Sequence, residues 1–168
     1  MSASSKTERA KLADIARRYC EDELRARGQV FAMFFGMTPG GGTVTVPIGG
    51  FMENADTKEM GALVIRRFAR TAGVIAAAFV SEVWHAVVPI REYSNQMPMP
   101  SGRPDRVESV WIAVEDQAGT QSTFFAIVRD ESGVRMGEER ADMAGSMPNR
   151  FSVFKHRGGV ENGPDLPA

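Results

Sequence analysis

One cysteine, Cys20, and two histidines, His85 and His156, are all that this chain of 168 residues offers in thiol and imidazole groups, the side chains that ligate zinc or exchange protons near neutral pH. A lone cysteine rules out an internal disulfide and any cysteine-based zinc cluster of the usual four-ligand kind, and it suits a reducing, cytoplasmic compartment. Charge of one sign is also missing. Twenty Lys and Arg residues stand against 21 Asp and Glu, a net charge of -1, so no whole-chain field recruits phosphate backbones or anionic lipid. Long apolar runs are absent as well. The most apolar stretch, from Ala72 to Val80, is about half of what a membrane span needs, so no membrane partner is expected. The segment Met1-Ser2-Ala3-Ser4-Ser5-Lys6 has no apolar core of secretory length and reads as uncleaved.

What is present is the composition of an ordered globular domain, 43% hydrophobic and 24% charged. At this length a single core can form without a metal or disulfide staple. Residues 1–156 are read as one domain, and residues 157–168, rich in glycine and proline, as a disordered tail.

The pattern along the chain alternates between helical and extended periods. Ser5 and Glu8 have capping-box spacing, and Leu12, Ile15, Ala16, Tyr19 and Leu24 recur on one face until Gly28, which predicts a first helix over about residues 7–27. Gln29 to Phe35 and Thr43 to Val46, separated by Pro39-Gly40-Gly41-Gly42, predict a β-hairpin. Asp56 and Glu59 then have capping spacing for a second helix. Its stripe of Met60, Leu63, Val64, Phe68, Ala72, Ile75 and Phe79 is expected to make it the principal core element. Strands follow at Val83–Val88, Val107–Val114 and Ser122–Val128, the last two joined through Asp116-Gln117-Ala118-Gly119, with a short β-like stretch at Phe151–Phe154.

The expected fold is α+β: helix, hairpin, helix and three strands, forming a mainly antiparallel sheet packed with two long helices. That element order resembles roadblock and profilin-like domains. A second, local resemblance rests on Ser101-Gly102-Arg103-Pro104-Asp105-Arg106-Val107-Glu108, running into Val110-Trp111-Ile112-Ala113-Val114-Glu115-Asp116. This segment is similar to one in uncharacterised α/β proteins of bacteria and their phages. It covers about a third of the chain and implies a bacterial or phage origin, with no catalytic residue.

The chemical motifs are few. No Gly-x-Ser-x-Gly occurs, Cys20 falls on the packing face of the first helix, and Pro39 to Thr43 leads into a strand instead of opening a helix with Lys-Ser or Lys-Thr. His85 shares a strand face with Val83 and Val87 and is expected to be half-buried, whereas His156 lies between Lys155 and Arg157 near the tail. Pro104-Asp105 with Glu115-Asp116-Gln117 has part of a nuclease pattern but puts glutamine where its lysine belongs. Glu82, Glu92, Asp105 and Glu108 are carboxylates whose pairing the sequence leaves open. Arg66, Arg67 and Arg70, with Arg17 and Arg18, leave nucleic acid open as a partner.

No cofactor is expected. The leading reading is a non-enzymatic binding or accessory protein whose partner is protein, self or other. The alternatives are a small carboxylate-based hydrolase or nuclease, and a small-molecule sensor whose pocket wall draws on the ten methionines. The long loop from Arg91 to Arg106 is the expected functional edge. It concentrates Arg91, Tyr93, Met97, Met99, Arg103 and Arg106, residue types prominent in recognition surfaces.

Overall fold

The computed structural model describes residues 3–86, 102–140 and 151–154, with side chains from residue 7 onward. Helix α1 (Ala3–Arg27) leads into the hairpin β1 (Met33–Met37) and β2 (Thr43–Pro47). A short 3-10 turn at Gly49–Phe51 precedes α2 (Ala55–Thr71), and β3 (Ala76–His85), β4 (Val107–Asp116), β5 (Gly119–Asp130) and β6 (Gly133–Glu139) follow. All strand pairs are antiparallel, in the order β2-β1-β3-β4-β5-β6. The fold is therefore the expected α+β domain, with a six-stranded sheet.

Strand alternation divides the core into two layers. Phe35 and Met37 of β1, Ala76, Ala78 and Val80 of β3, and Val110, Ile112 and Val114 of β4 face α1, which buries Leu12, Ala16, Cys20 and Leu24 against them. Phe34, Ala77, Phe79 and Ala113 face the other way, toward Ala62, Ile65 and Ala69 of α2 and toward Phe151. The middle of β3 is buried on both sides, so its run of three alanines lets a helix approach each face closely. Helix α1 runs alongside β3 in the same direction. Arg9 meets Asp116 at one end (3.4 Å), and at the other Gly28, with φ 71, closes the helix by donating its N–H to the Leu24 carbonyl at 2.9 Å.

Several expectations need correction. The first helix begins at Ala3, so Ser5 lies within it and does not cap it. The cap of α2 is Asn54, whose side chain accepts from the Thr57 N–H while the Thr57 hydroxyl accepts from the Asn54 N–H. The capping-box logic holds, but two residues earlier than Asp56 and with threonine in the third position. Helix α2 stops at Thr71, where Ala72 caps it and Gly73 turns the chain at φ 65. Ile75 and Phe79 thus follow the helix, and Phe79 belongs to β3.

The buried stripe of α2 is Gly61, Ala62, Ile65 and Ala69, whereas Met60 and Val64 are 62% and 46% exposed. The expected stripe was out of phase because small residues, Gly61 above all, carry the contact. An added Cβ there would lie 2.6 Å from Cβ of Phe51, closer than any side chain tolerates. Beyond Asp130 a sixth strand was missed, its apolar positions diluted by glycine, arginine and glutamate, while Phe151–Phe154 is irregular chain packed on the sheet. Val87 and Val88, His156 and the tail 157–168 lie outside the described residues.

Candidate functional site

Where α1 ends, the sheet continues beyond it, and the described residues of this part carry charge on a face whose middle is apolar. On β3, Glu82 and Trp84 follow Val80 at period two on the α1 side. On β4, Glu108 pairs across from Trp84, and Arg106 precedes it on the same phase. Arg129 comes from β5. Two residues before Met33, whose partner is Val80, Phe31 falls alongside Glu82.

Hydrogen bonds tie these groups to the helix end. Arg129 donates to both carboxylate oxygens of Glu108 (Nε 2.9 Å, Nη2 2.8 Å) and to the Gly28 carbonyl at 2.8 Å. Glu82 accepts from the Val30 N–H at 2.7 Å, and the Tyr19 hydroxyl donates to the Phe31 carbonyl at 3.1 Å. The turn from α1 into β1 is thereby held by side chains from two strands, β3 and β5, and by Tyr19 of α1 itself.

The electrostatics follow from this geometry. Burial pushes the Glu82 carboxyl up from its ordinary value, opposed by the Val30 N–H and assisted by the neighbouring Glu108 charge. The hydrogen bonds of Arg129 hold Glu108 below its ordinary value and raise the guanidinium in turn. Burial, and then the charge of Glu23, pushes the Tyr19 phenol up to about 12.

Two aromatic rings stand out from the same region. Trp84 is 44% exposed with the Arg106 guanidinium 4.5 Å above its ring, and Phe31 is 43% exposed with that of Arg27 at 5.6 Å. Aromatic and arginine side chains stacked at a surface combine apolar area with fixed donors, which is the chemistry of recognition.

Of the residues expected to bind a partner, Arg106 lies in this patch and Arg103 forms a bidentate pair with Asp105 (2.8 and 2.7 Å). Arg91, Tyr93, Met97 and Met99 lie outside the described residues, as does Glu92. Among the carboxylates, Glu82 and Glu108 do approach each other, while Asp105 is engaged by Arg103, which holds it below its ordinary value.

The nuclease-like fragment is split by the sheet. Asp116 takes Arg9 on the α1 side and the Ala118 N–H in its turn, whereas Glu115 accepts from the Ser152 hydroxyl (2.6 Å) and the Val153 N–H (2.7 Å) on the α2 side. The arginines divide likewise. Arg17 and Arg18 belong to one helix layer and Arg66, Arg67 and Arg70 to the other, so they form no common surface. His85 is buried at the end of β3 with its ring edge-on to Phe124. Among the described residues no group of three or more His, Cys, Asp or Glu side chains is placed to hold a metal ion, and no helix is long and apolar enough to cross a membrane.

Phe31, Trp84, Arg27 and Arg129 were missed as site residues. Their signal was a phase: Glu82 and Trp84, Arg106 and Glu108, and Arg129 all put polar or amphipathic groups on one face near one end of adjacent strands. Seeing it requires the strand register. Compared with known proteins, the chain matches no family model, no curated protein and no solved structure.

Proposed function

We propose that this is a binding or accessory protein that engages a protein partner through the surface around Trp84. The observation that carries the reading is the exposed Trp84 ring with Arg106 stacked on it, with the exposed Phe31 and Arg27 at the same end of the sheet. Tryptophan and arginine are the residues most often found at binding hot spots, and here a fixed framework of strands presents them. Glu82 and Glu108 resemble an acid/base pair in having pKa values pushed apart, but Arg129 occupies both oxygens of Glu108 and Val30 holds Glu82. Their engagement favours a scaffolding role. The segment resembling bacterial and phage proteins, and the buried single cysteine, fit a partner met in a bacterial cytoplasm.

Parallel affinity capture from a bacterial lysate, followed by titration of the identified partner, tests this. Trp84→Ala and Arg106→Ala should each lower affinity at least about tenfold while the fold persists, and Met60→Ala on α2 should leave binding unchanged. Equal affinity of all three would move the surface elsewhere.

A small-molecule sensor is favoured by one separate observation. The Ser109 and Ser122 hydroxyls and Trp111 Nε1, all on the α2 side of β4 and β5, are buried with no hydrogen-bond partner among the described residues. Buried polar groups of this kind call for a partner. Native mass spectrometry of freshly purified protein checks it: a retained small molecule, lost in Ser109→Ala, would favour this reading over the first.

A further inference from the structure

Among the described residues the sheet ends at β2 and at β6, and these two edges differ in how they are protected. The β6 edge carries Arg135, Glu138 and Glu139, and its pairing with β5 shifts register between Phe125 and Ile127. Charges and irregular pairing both discourage another strand from adding there. The β2 edge has neither. Its sequence, Thr43-Val44-Thr45-Val46-Pro47, has no charge, pairs with β1 without interruption, and exposes Thr43, Thr45 and Pro47.

The hairpin register shows which backbone groups are on offer. The Thr38 N–H donates to the Gly42 carbonyl at 2.9 Å and the Ile48 N–H to the Ala32 carbonyl at 3.0 Å. Antiparallel bonding alternates, so Val44 and Val46 bond inward to β1, while Thr43, Thr45 and Pro47 turn their backbone groups outward. Among the described residues no strand takes those groups up.

We propose that β2 pairs antiparallel with β2 of a second copy of this chain, about a two-fold axis at Val44. In that register Thr43 of each copy faces Thr45 of the other, and each pair exchanges both of its N–H···O bonds. The threonine side chains meet on the α1 side and the two Val44 side chains meet on the α2 side. Thr–Thr and β-branched pairs favour a sheet.

Pro47 fixes this register. It has no N–H to donate, and with the axis at Thr45 it would lie opposite Thr43 of the partner, whereas with the axis at Val44 it falls outside the paired segment. The same patch serves both copies, so the assembly closes as a dimer that joins the two six-stranded sheets into one. This surface lies away from Trp84 and does not depend on the role given to it.

Sedimentation over a range of concentrations tests the pairing, using the wild-type chain and two variants. The wild-type mass should rise toward twice that of the chain. Thr43→Lys with Thr45→Lys puts like charges opposite each other across the axis and should stay monomeric at every concentration. Thr43→Lys with Thr45→Glu puts opposite charges there, and should dimerise at least as well as wild type at low salt and less well at high salt. Circular dichroism should show the same folded state in all three, because both positions are exposed. A monomeric wild type, a dimer that survives the double lysine substitution, or a lysine/glutamate variant that stays monomeric would each overturn the proposal.

Discussion

Gly61 and Glu82 show opposite ways in which one side chain governs a neighbourhood. At Gly61 the absence of a side chain is the feature, since Phe51 and the Phe151 ring occupy the space a Cβ would take. Gly61→Ala should destabilise by about 1–3 kcal/mol through overpacking, although alanine gains nearly 1 kcal/mol in helix propensity, and chemical denaturation would measure the difference. At Glu82 the carboxylate is held by one backbone N–H in a partly buried place that disfavours its charge. Its folded pKa lies above the ordinary 4.5, so the folded state binds the proton more tightly than the unfolded state, and this group's contribution to stability is lost as pH rises through the folded pKa. Glu82→Gln keeps an acceptor for Val30 and removes the charge. It should leave stability at neutral pH equal or higher and flatten the fall in stability that begins above pH 4.5. Glu108 has the opposite sign: its depressed pKa stabilises the fold above the ordinary value, and that contribution is lost as pH falls. A stability curve of Glu108→Gln that keeps the full acid limb would contradict the clamp by Arg129.

Among elements, α2 is the one whose buried face differs most from its hydropathy. Ile65→Ala should cost about 2–5 kcal/mol by opening a cavity, while Met60→Ala should stay within about 0.5 kcal/mol, as at other exposed sites; paired urea titrations would check both. The first helix was legible because Leu12, Ala16, Cys20 and Leu24 keep one phase over several turns and Gly28 stops it. The two hairpins were legible because β-branched and aromatic runs flank glycine turns. The end of α2 was not legible, because Ala76, Ala77 and Ala78 favour helix locally and become strand only by pairing between β1 and β4. For the same reason the patch could be read only in part. Arg106 stood out by type, but Trp84, Phe31 and Arg129 meet only through register and a turn more than 100 positions from Arg129 in sequence, as the Arg129 bond to Gly28 shows.

For the whole molecule, α1 is the outer wall of one core layer. It is pinned at its start by Arg9 to Asp116 and just past its end by the Gly28 carbonyl to Arg129. Cys20 sits at the centre of that wall, fully buried against the sheet, and burial, followed by the charge of Glu21, raises its thiol to about 12. A protonated, enclosed sulfur reacts with nothing in solution until the wall lifts. The single cysteine is therefore a clock. In the native protein its modification by a thiol reagent should be at least about a thousandfold slower than in the denatured chain, with a rate set by opening. Arg129→Ala should quicken it by freeing one end of the helix. Because no second thiol contributes to the signal, the time course reads how often this one helix leaves its sheet.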